Sequence, residues 1–239
     1  MVERNTVVGV DFLIVGGIVS ALGYVLAQSV PIAAFGLAVA VIGALILLIV
    51  PEPVPQDAYM AMLSDAIRNV EIILEESGLR ERAYFMQMGD GEVRALVPLS
   101  GTTLTSAEIS ELEKSPRRFV VNHKGVLGLM IIPPGNQIVS LAKVERGADL
   151  EESLRAALVD SSDLAGSILA VEDEESRTIR IQISSPKITS ESPYFNDCLG
   201  TPVSSMACCV AAVAKGQPVR IVDEKFDPAF VRLTLEVVR

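Results

Sequence analysis

Residues 7–28 and 31–50 form two long apolar runs, separated only by Ser29 and Val30 and interrupted by one charge, Asp11. A helix rises 1.5 Å per residue, so roughly 20 residues cross a hydrocarbon layer of about 30 Å, and each run is long enough. A turn this short returns the chain to the side it left. The pattern predicts a transmembrane hairpin over residues 1–50, with spans at 7–28 and 31–50, and the lipid bilayer as first partner. A secretory signal peptide does not fit, because it has one shorter apolar core and a cleavage site, with no second span.

Both ends of such a hairpin emerge on one face. Arg4 and the amino terminus lie there and the turn carries no charge, so the distribution of basic residues predicts a multi-pass cell-membrane protein with both termini and the soluble domain in the cytoplasm. The cysteines agree. Cys198, Cys208 and Cys209 are an odd number and include an adjacent pair, and no Asn-x-Ser/Thr acceptor occurs anywhere; both features suit a reducing compartment.

Small residues recur at helical spacing in the spans: Gly16 with Ser20, Gly17 with Ala21, and Gly36 with Ala40 and Ala44. In lipid, apolar burial drives association weakly, and such faces let backbones approach closely enough to gain dispersion contacts. They predict packing between the two helices or between subunits. Asp11 is the one ionisable group inside a span. Near the amino-terminal end of its helix it reads as an interfacial anchor favoured by the helix dipole, rather than as an ion carrier.

After Gln56 the chain has 19 Lys and Arg against 27 Asp and Glu, a net charge of −8. That sign argues against nucleic acid and anionic head groups as partners, since both need clustered basic residues. Arg117, Arg118 and Lys124 are the one local basic group, and they read as a solvated turn.

The segment 51–56, with Pro51, Pro53 and Pro55 alternating, reads as an extended linker. Residues 57–239 then predict an α+β soluble domain, with mixed or antiparallel sheets and amphipathic helices. Met60, Leu63, Ile67, Val70 and Leu74 recur every three or four positions and mark the first helix, which stops at Gly78. Residues 82–88 and 92–99 flank Gly89-Asp90-Gly91 and predict a strand hairpin. Residues 105–114 predict a short helix capped at Ser106, and 119–121 and 126–132 predict strands around a turn containing His123. Residues 137–144 read as a further strand.

Residues 149–160 predict a second amphipathic helix, and 168–171 with 178–184 a second hairpin. The repeated order, with Leu-Glu-Glu-Ser at 74–77 and again at 150–153, allows two related subdomains, 57–147 and 148–239. Residues 185–202 read as a Ser- and Pro-rich loop, 203–214 as a buried helix opened by Pro202, and 219–222 with 231–237 as closing strands.

The motifs of nucleotide-binding loops, zincins and serine hydrolases are all missing. His123 is the sole histidine, and Cys208 and Cys209 sit about 100° apart around a helix instead of at Cys-x-x-Cys spacing, so no metal site is expected. No cofactor is expected either. The sharpest enzymatic reading is a thiol mechanism, with Cys198 in a loop before a helix amino terminus and His123 as its base. The contrasting reading makes all three cysteines small buried hydrophobes. The carboxylates at 172–175 and at Glu151 and Glu152 read as solvated surfaces, lacking the isolated pair that acid–base chemistry needs.

The segment from Met206 to Val219, followed by Val222-Asp223-Glu224 and residues 233–237, resembles the carboxyl-terminal helix and strands of V4R small-molecule-binding domains. The resemblance implies a fold for this end of the chain. Those domains carry cysteines after the glutamate, and residues 225–232 have none, so it implies no metal or thiol role.

The sequence therefore leans toward a non-enzymatic membrane protein whose soluble domain binds a protein partner or a small-molecule ligand, as a sensor or assembly module. The alternatives are a membrane-tethered thiol enzyme using Cys198, and a structural subunit of a homo-oligomer or larger complex.

Overall fold

The computed structural model describes residues 2–49, 56–99, 104–113, 118–123, 126–173, 175–189 and 192–238. Residues 51–55 of the expected linker 51–56, with Arg117 and Lys124 of the basic turn, lie outside them, and Gln56 already belongs to a helix. The chain divides into two compact units, Met1–Tyr59 and Met60–Arg239.

The first unit holds α1 (Val2–Val25) and α2 (Val30–Ile49), joined by a turn in which Gln28 takes φ 45°. Both are long and apolar enough to cross a membrane, and only 17% and 11% of their apolar windows are buried within the protein. Glycine decides how they pair. A Cβ on Gly16 would sit 2.3 Å from the Ala40 amide nitrogen, and one on Gly36 2.3 Å from that of Ser20. Cβ atoms on Gly23 and Gly43 would also meet backbone of the opposite helix, at 2.8 and 2.6 Å, while one on Gly9 would meet the Leu47 side chain at 2.9 Å. Gly9, Gly16 and Gly23 on one helix, with Gly36 and Gly43 on the other, form a heptad-spaced seam, closed to any side chain at its four backbone contacts.

The small residues of the two spans divide between the seam and the outer surface. Gly16, Ser20, Gly36 and Ala40 lie in the seam, but Gly17 has nothing within 4 Å of its Cβ position and Ala21 and Ala44 are exposed. Asp11 also differs from its expected setting: α1 begins at Val2, so Asp11 lies in the third turn, beyond the reach of the amino-terminal dipole.

In the second unit, strands β1 (Tyr84–Gln87), β2 (Val93–Pro98), β3 (Val120–His123), β4 (Val126–Ile131), β5 (Ser167–Asp173), β6 (Thr178–Ser184), β7 (Val219–Asp227) and β8 (Phe230–Val237) form one sheet, in the order β3-β4-β2-β1-β7-β8-β6-β5. Every neighbouring pair is antiparallel. The two sequence halves each supply four adjacent strands, and they meet where Tyr84 faces Arg220 and Phe85 faces Val219. They share one sheet and one main core, which includes Phe85 and Val93 together with Ile181 and Leu233.

One sheet face carries that main core, with α3 (Gln56–Glu76), α5 (Asn136–Leu141), α6 (Leu150–Arg155), α7 (Pro193–Leu199) and α8 (Pro202–Lys215) supplying the covering side chains. A π-helical turn over Ala156–Ser161 continues α6. On the other face, Ile109 and Leu112 of α4 (Ser106–Glu113) cover Tyr84, Met86, Leu96 and Met130. Helix α8 lies on both central strands, and every residue from Pro202 to Ala214 is buried. The stretch Pro193–Lys215 is apolar enough for a membrane span, but 94% of its window is buried in protein, so it is core.

Three local expectations are corrected. Residues 136–141 are helical because Ile138 and Val139 bury together on one side after the positive-φ turn at Gly135, whereas their β-branching had suggested a strand. The expected loop at 185–202 contains α7, with Pro193 in its first turn and Phe195, Cys198 and Leu199 buried at helical spacing. Ser106 is the first residue of α4, and the cap is Thr105, whose amide and hydroxyl donate to Glu108 at 2.9 and 2.7 Å.

Candidate functional site

The site begins with an irregularity in β7. Ile221 faces Leu235 on β8, but the next pairs are Asp223 with Thr234 and Glu224 with Leu233, a one-residue bulge that leaves Val222 unpaired. A strand alternates faces, so without the bulge Asp223 would follow Ile221 onto the helix-covered face. With it, Glu224 does. Its carboxylate enters at the amino end of α8 and its side chain is only 6% exposed.

Helix α8 starts with Thr201 as cap and Pro202 in the first turn, a pairing that suits a helix start because proline lacks an amide hydrogen there. The Thr201 hydroxyl accepts from the Ser204 amide at 3.4 Å. Glu224 completes this cap: its Oε1 accepts from the Thr201 amide at 3.0 Å, the Thr201 hydroxyl at 2.7 Å and the Ser204 hydroxyl at 2.6 Å. A carboxylate at this pole also gains from the helix dipole.

Oε2 is placed differently. Its ion-pair partner among the described residues is Arg82, whose guanidinium stands 3.7 Å away and donates to the Asn196 carbonyl at 2.6 Å. Beside this pair opens a cavity of about 230 Å³, lined by Arg82, Asn196, Asp197, Thr201, Glu224 and Phe226. Gly200 keeps it clear. Its φ is +77°, and a Cβ there would stand 3.1 Å from Oε2 and 2.6 Å from Ile221 Cδ1. The arrangement can hold a small molecule beside a paired carboxylate and guanidinium; three hydrogen bonds commit Oε1 to structure and leave Oε2 facing the cavity.

A larger depression of about 380 Å³ lies at the β5–β6 turn, but Lys215 Nζ already donates to Glu172 across it. Glu151 is likewise engaged, accepting from the Ala170 amide at 2.9 Å.

The thiol reading meets neither of its requirements. Cys198 sits in the last turn of α7, the negative pole of that helix, and is buried; burial first, then the Asp197 carboxylate, push its thiol up to about 11. Its Sγ donates to the Leu79 carbonyl at 3.5 Å. His123 ends edge strand β3, with β4 and β2 between it and β1. At about 4.8 Å per strand, that places its backbone on the order of 14 Å from β1, whose entry at Ala83 is bonded to the Cys198 carbonyl. Cys208 and Cys209 are buried, and desolvation raises both thiols. No cluster of three or more metal-ligating side chains occurs among the described residues.

Sequence reasoning missed Glu224, Thr201, Ser204 and Arg82 as a group. Thr201-Pro202 was a readable capping signal, but the bulge that delivers Glu224 leaves no mark in the composition of β7. A family model described as a domain of unknown function, DUF7982, matches residues 2–236. No curated protein and no solved structure matches the chain.

Proposed function

The chain belongs to the DUF7982 family, and we propose that it is a membrane-anchored, non-enzymatic binding module that senses a small polar ligand at the Glu224 cavity. The hairpin crosses the bilayer twice, and both termini and the soluble domain lie in the cytoplasm. Arg4 and the uncharged turn support that orientation. The observation that carries the reading is a deeply buried carboxylate with one oxygen committed to a helix cap and the other at the floor of a cavity beside Arg82. Burying a charge is costly unless it is well paired, so the domain holds Glu224 there against a penalty that a surface residue would avoid.

The test is a thermal-shift screen of the full chain in lipid nanodiscs against a fractionated small-molecule extract. A fraction that raises the transition in the natural protein but not in Glu224→Gln supports the reading. If no fraction does so, a binding role at this cavity fails.

A second reading, assembly through the membrane helices, is favoured by the outward position of Gly17, Ala21 and Ala44, which the hairpin seam does not use. Cross-linking in native membranes that yields only monomer would sink it.

A further inference from the structure

Resting on the binding reading above, we infer that the Glu224 cavity takes a small zwitterion of the α-amino acid class, its ammonium on Glu224 Oε2 and its carboxylate on Arg82. The cavity holds both signs of charge within one small-molecule length. Glu224 Oε2 makes no hydrogen bond among the described residues, although its side chain is 94% buried, being 6% exposed. It therefore offers a free acceptor on the cavity wall, on a side chain whose remainder is packed in the fold. Arg82 spends an N–H on the Asn196 carbonyl and, with five N–H donors on a guanidinium, retains others for a carboxylate.

The alternatives fit less well. A simple anion placed against Arg82 would face Glu224 and, at the rim, the exposed Asp197. A simple cation on Oε2 would face the guanidinium 3.7 Å away, and a divalent metal needs more oxygen ligands than one carboxylate oxygen supplies. A molecule carrying both charges offsets each repulsion with an attraction to the opposite partner. In an α-amino acid the nitrogen is two bonds from the carboxyl carbon, so its two charges can lie alongside the 3.7 Å Arg82–Glu224 pair, each against its opposite.

Size and wall chemistry narrow the class further. A volume of about 230 Å³ falls below the roughly 300–1,000 Å³ of drug-sized pockets, which favours a short side chain. Phe226, 46% exposed, supplies an apolar wall that such a side chain can meet, or a ring face for the ammonium. Gly200 is what keeps the floor open, because any Cβ there would press on Oε2.

The test is calorimetric titration of the full chain in nanodiscs with glycine, L-alanine and L-serine, and separately with methylamine and acetate. At least one zwitterion should bind at least tenfold more tightly than either half-molecule, and Arg82→Gln and Glu224→Gln should each weaken it at least tenfold. Glu224→Gln retains an acceptor for the α8 cap; should it still fail to fold, the comparison of zwitterion with half-molecules on the natural protein decides alone. Equal binding of methylamine or acetate, or undiminished zwitterion binding by Arg82→Gln, overturns the inference. So does a Glu224-dependent ligand from the extract combined with no zwitterion binding, an outcome that leaves the binding reading standing. Binding by neither zwitterion nor extract removes both.

Discussion

Ser204 Oγ donates a 2.6 Å hydrogen bond to Oε1 of Glu224, tying the first turn of α8 to the bulged strand β7. Twenty residues separate the two in sequence, and the bond exists only because the bulge turns Glu224 toward the helix. The helix cap and the cavity floor are therefore two sides of one carboxylate.

Removing the cap should weaken the domain. Thr201→Ala deletes the hydroxyl that bonds Glu224 at 2.7 Å and receives the Ser204 amide, and the expected loss is about 1–2 kcal/mol. Glu224→Ala should cost more than Glu224→Gln, because only the alanine leaves the Thr201 amide and both hydroxyls without their acceptor. Urea unfolding of the full chain in detergent, followed by circular dichroism, checks the order.

Gly200→Ala tests the floor. The positive φ and the 2.6 Å approach to Ile221 Cδ1 predict a loss on the order of 1–3 kcal/mol. Ligand binding should fall further than stability does, since the new Cβ presses on Oε2. Comparing the unfolding midpoint with binding under folded conditions separates the two effects.

Neighbouring glycines in the hairpin should behave oppositely. Gly16→Leu forces a side chain into the Ala40 backbone, whereas Gly17→Leu meets open space. Fluorescence energy transfer between labels on cysteines placed at Val7 and Leu48, both exposed, should drop in the first variant and hold in the second. A drop in both would remove the glycine seam as the cause of pairing.

The cysteines predict alkaline sensitivity. Cys198 ionises near 9 in its ordinary setting and at about 11 in the fold, so between those values the unfolded chain loses its proton and the folded chain keeps it. Stability that is complete below pH 9 should decline as pH rises toward 11, with Cys208 and Cys209 acting in the same direction. At pH 8, a thiol reagent should modify all three only after unfolding. Rapid modification of Cys198 in the folded protein would revive the thiol-enzyme reading.

Much of the architecture was legible. The strand hairpins around Gly89-Asp90-Gly91 and around the acidic turn lie close to where alternation and turn chemistry put them, and α8 starts at Pro202 as expected. Helices α5 and α7 were not legible as such. Ile138 and Val139 favour strands locally, and Ser192-Pro193 opens a segment whose apolar spacing becomes meaningful only once Phe195, Cys198 and Leu199 are buried.

By itself the sequence determined that two apolar helices form a hairpin able to cross a membrane and that an acidic α+β domain follows, because periodicity and length are properties of neighbouring residues. Only the tertiary structure decided which glycines form the seam, that four strands from each half join in one sheet, and that Glu224 meets Arg82, Thr201 and Ser204. Those outcomes depend on rotational phase, strand register and a single bulge, each set by packing between segments far apart in the chain.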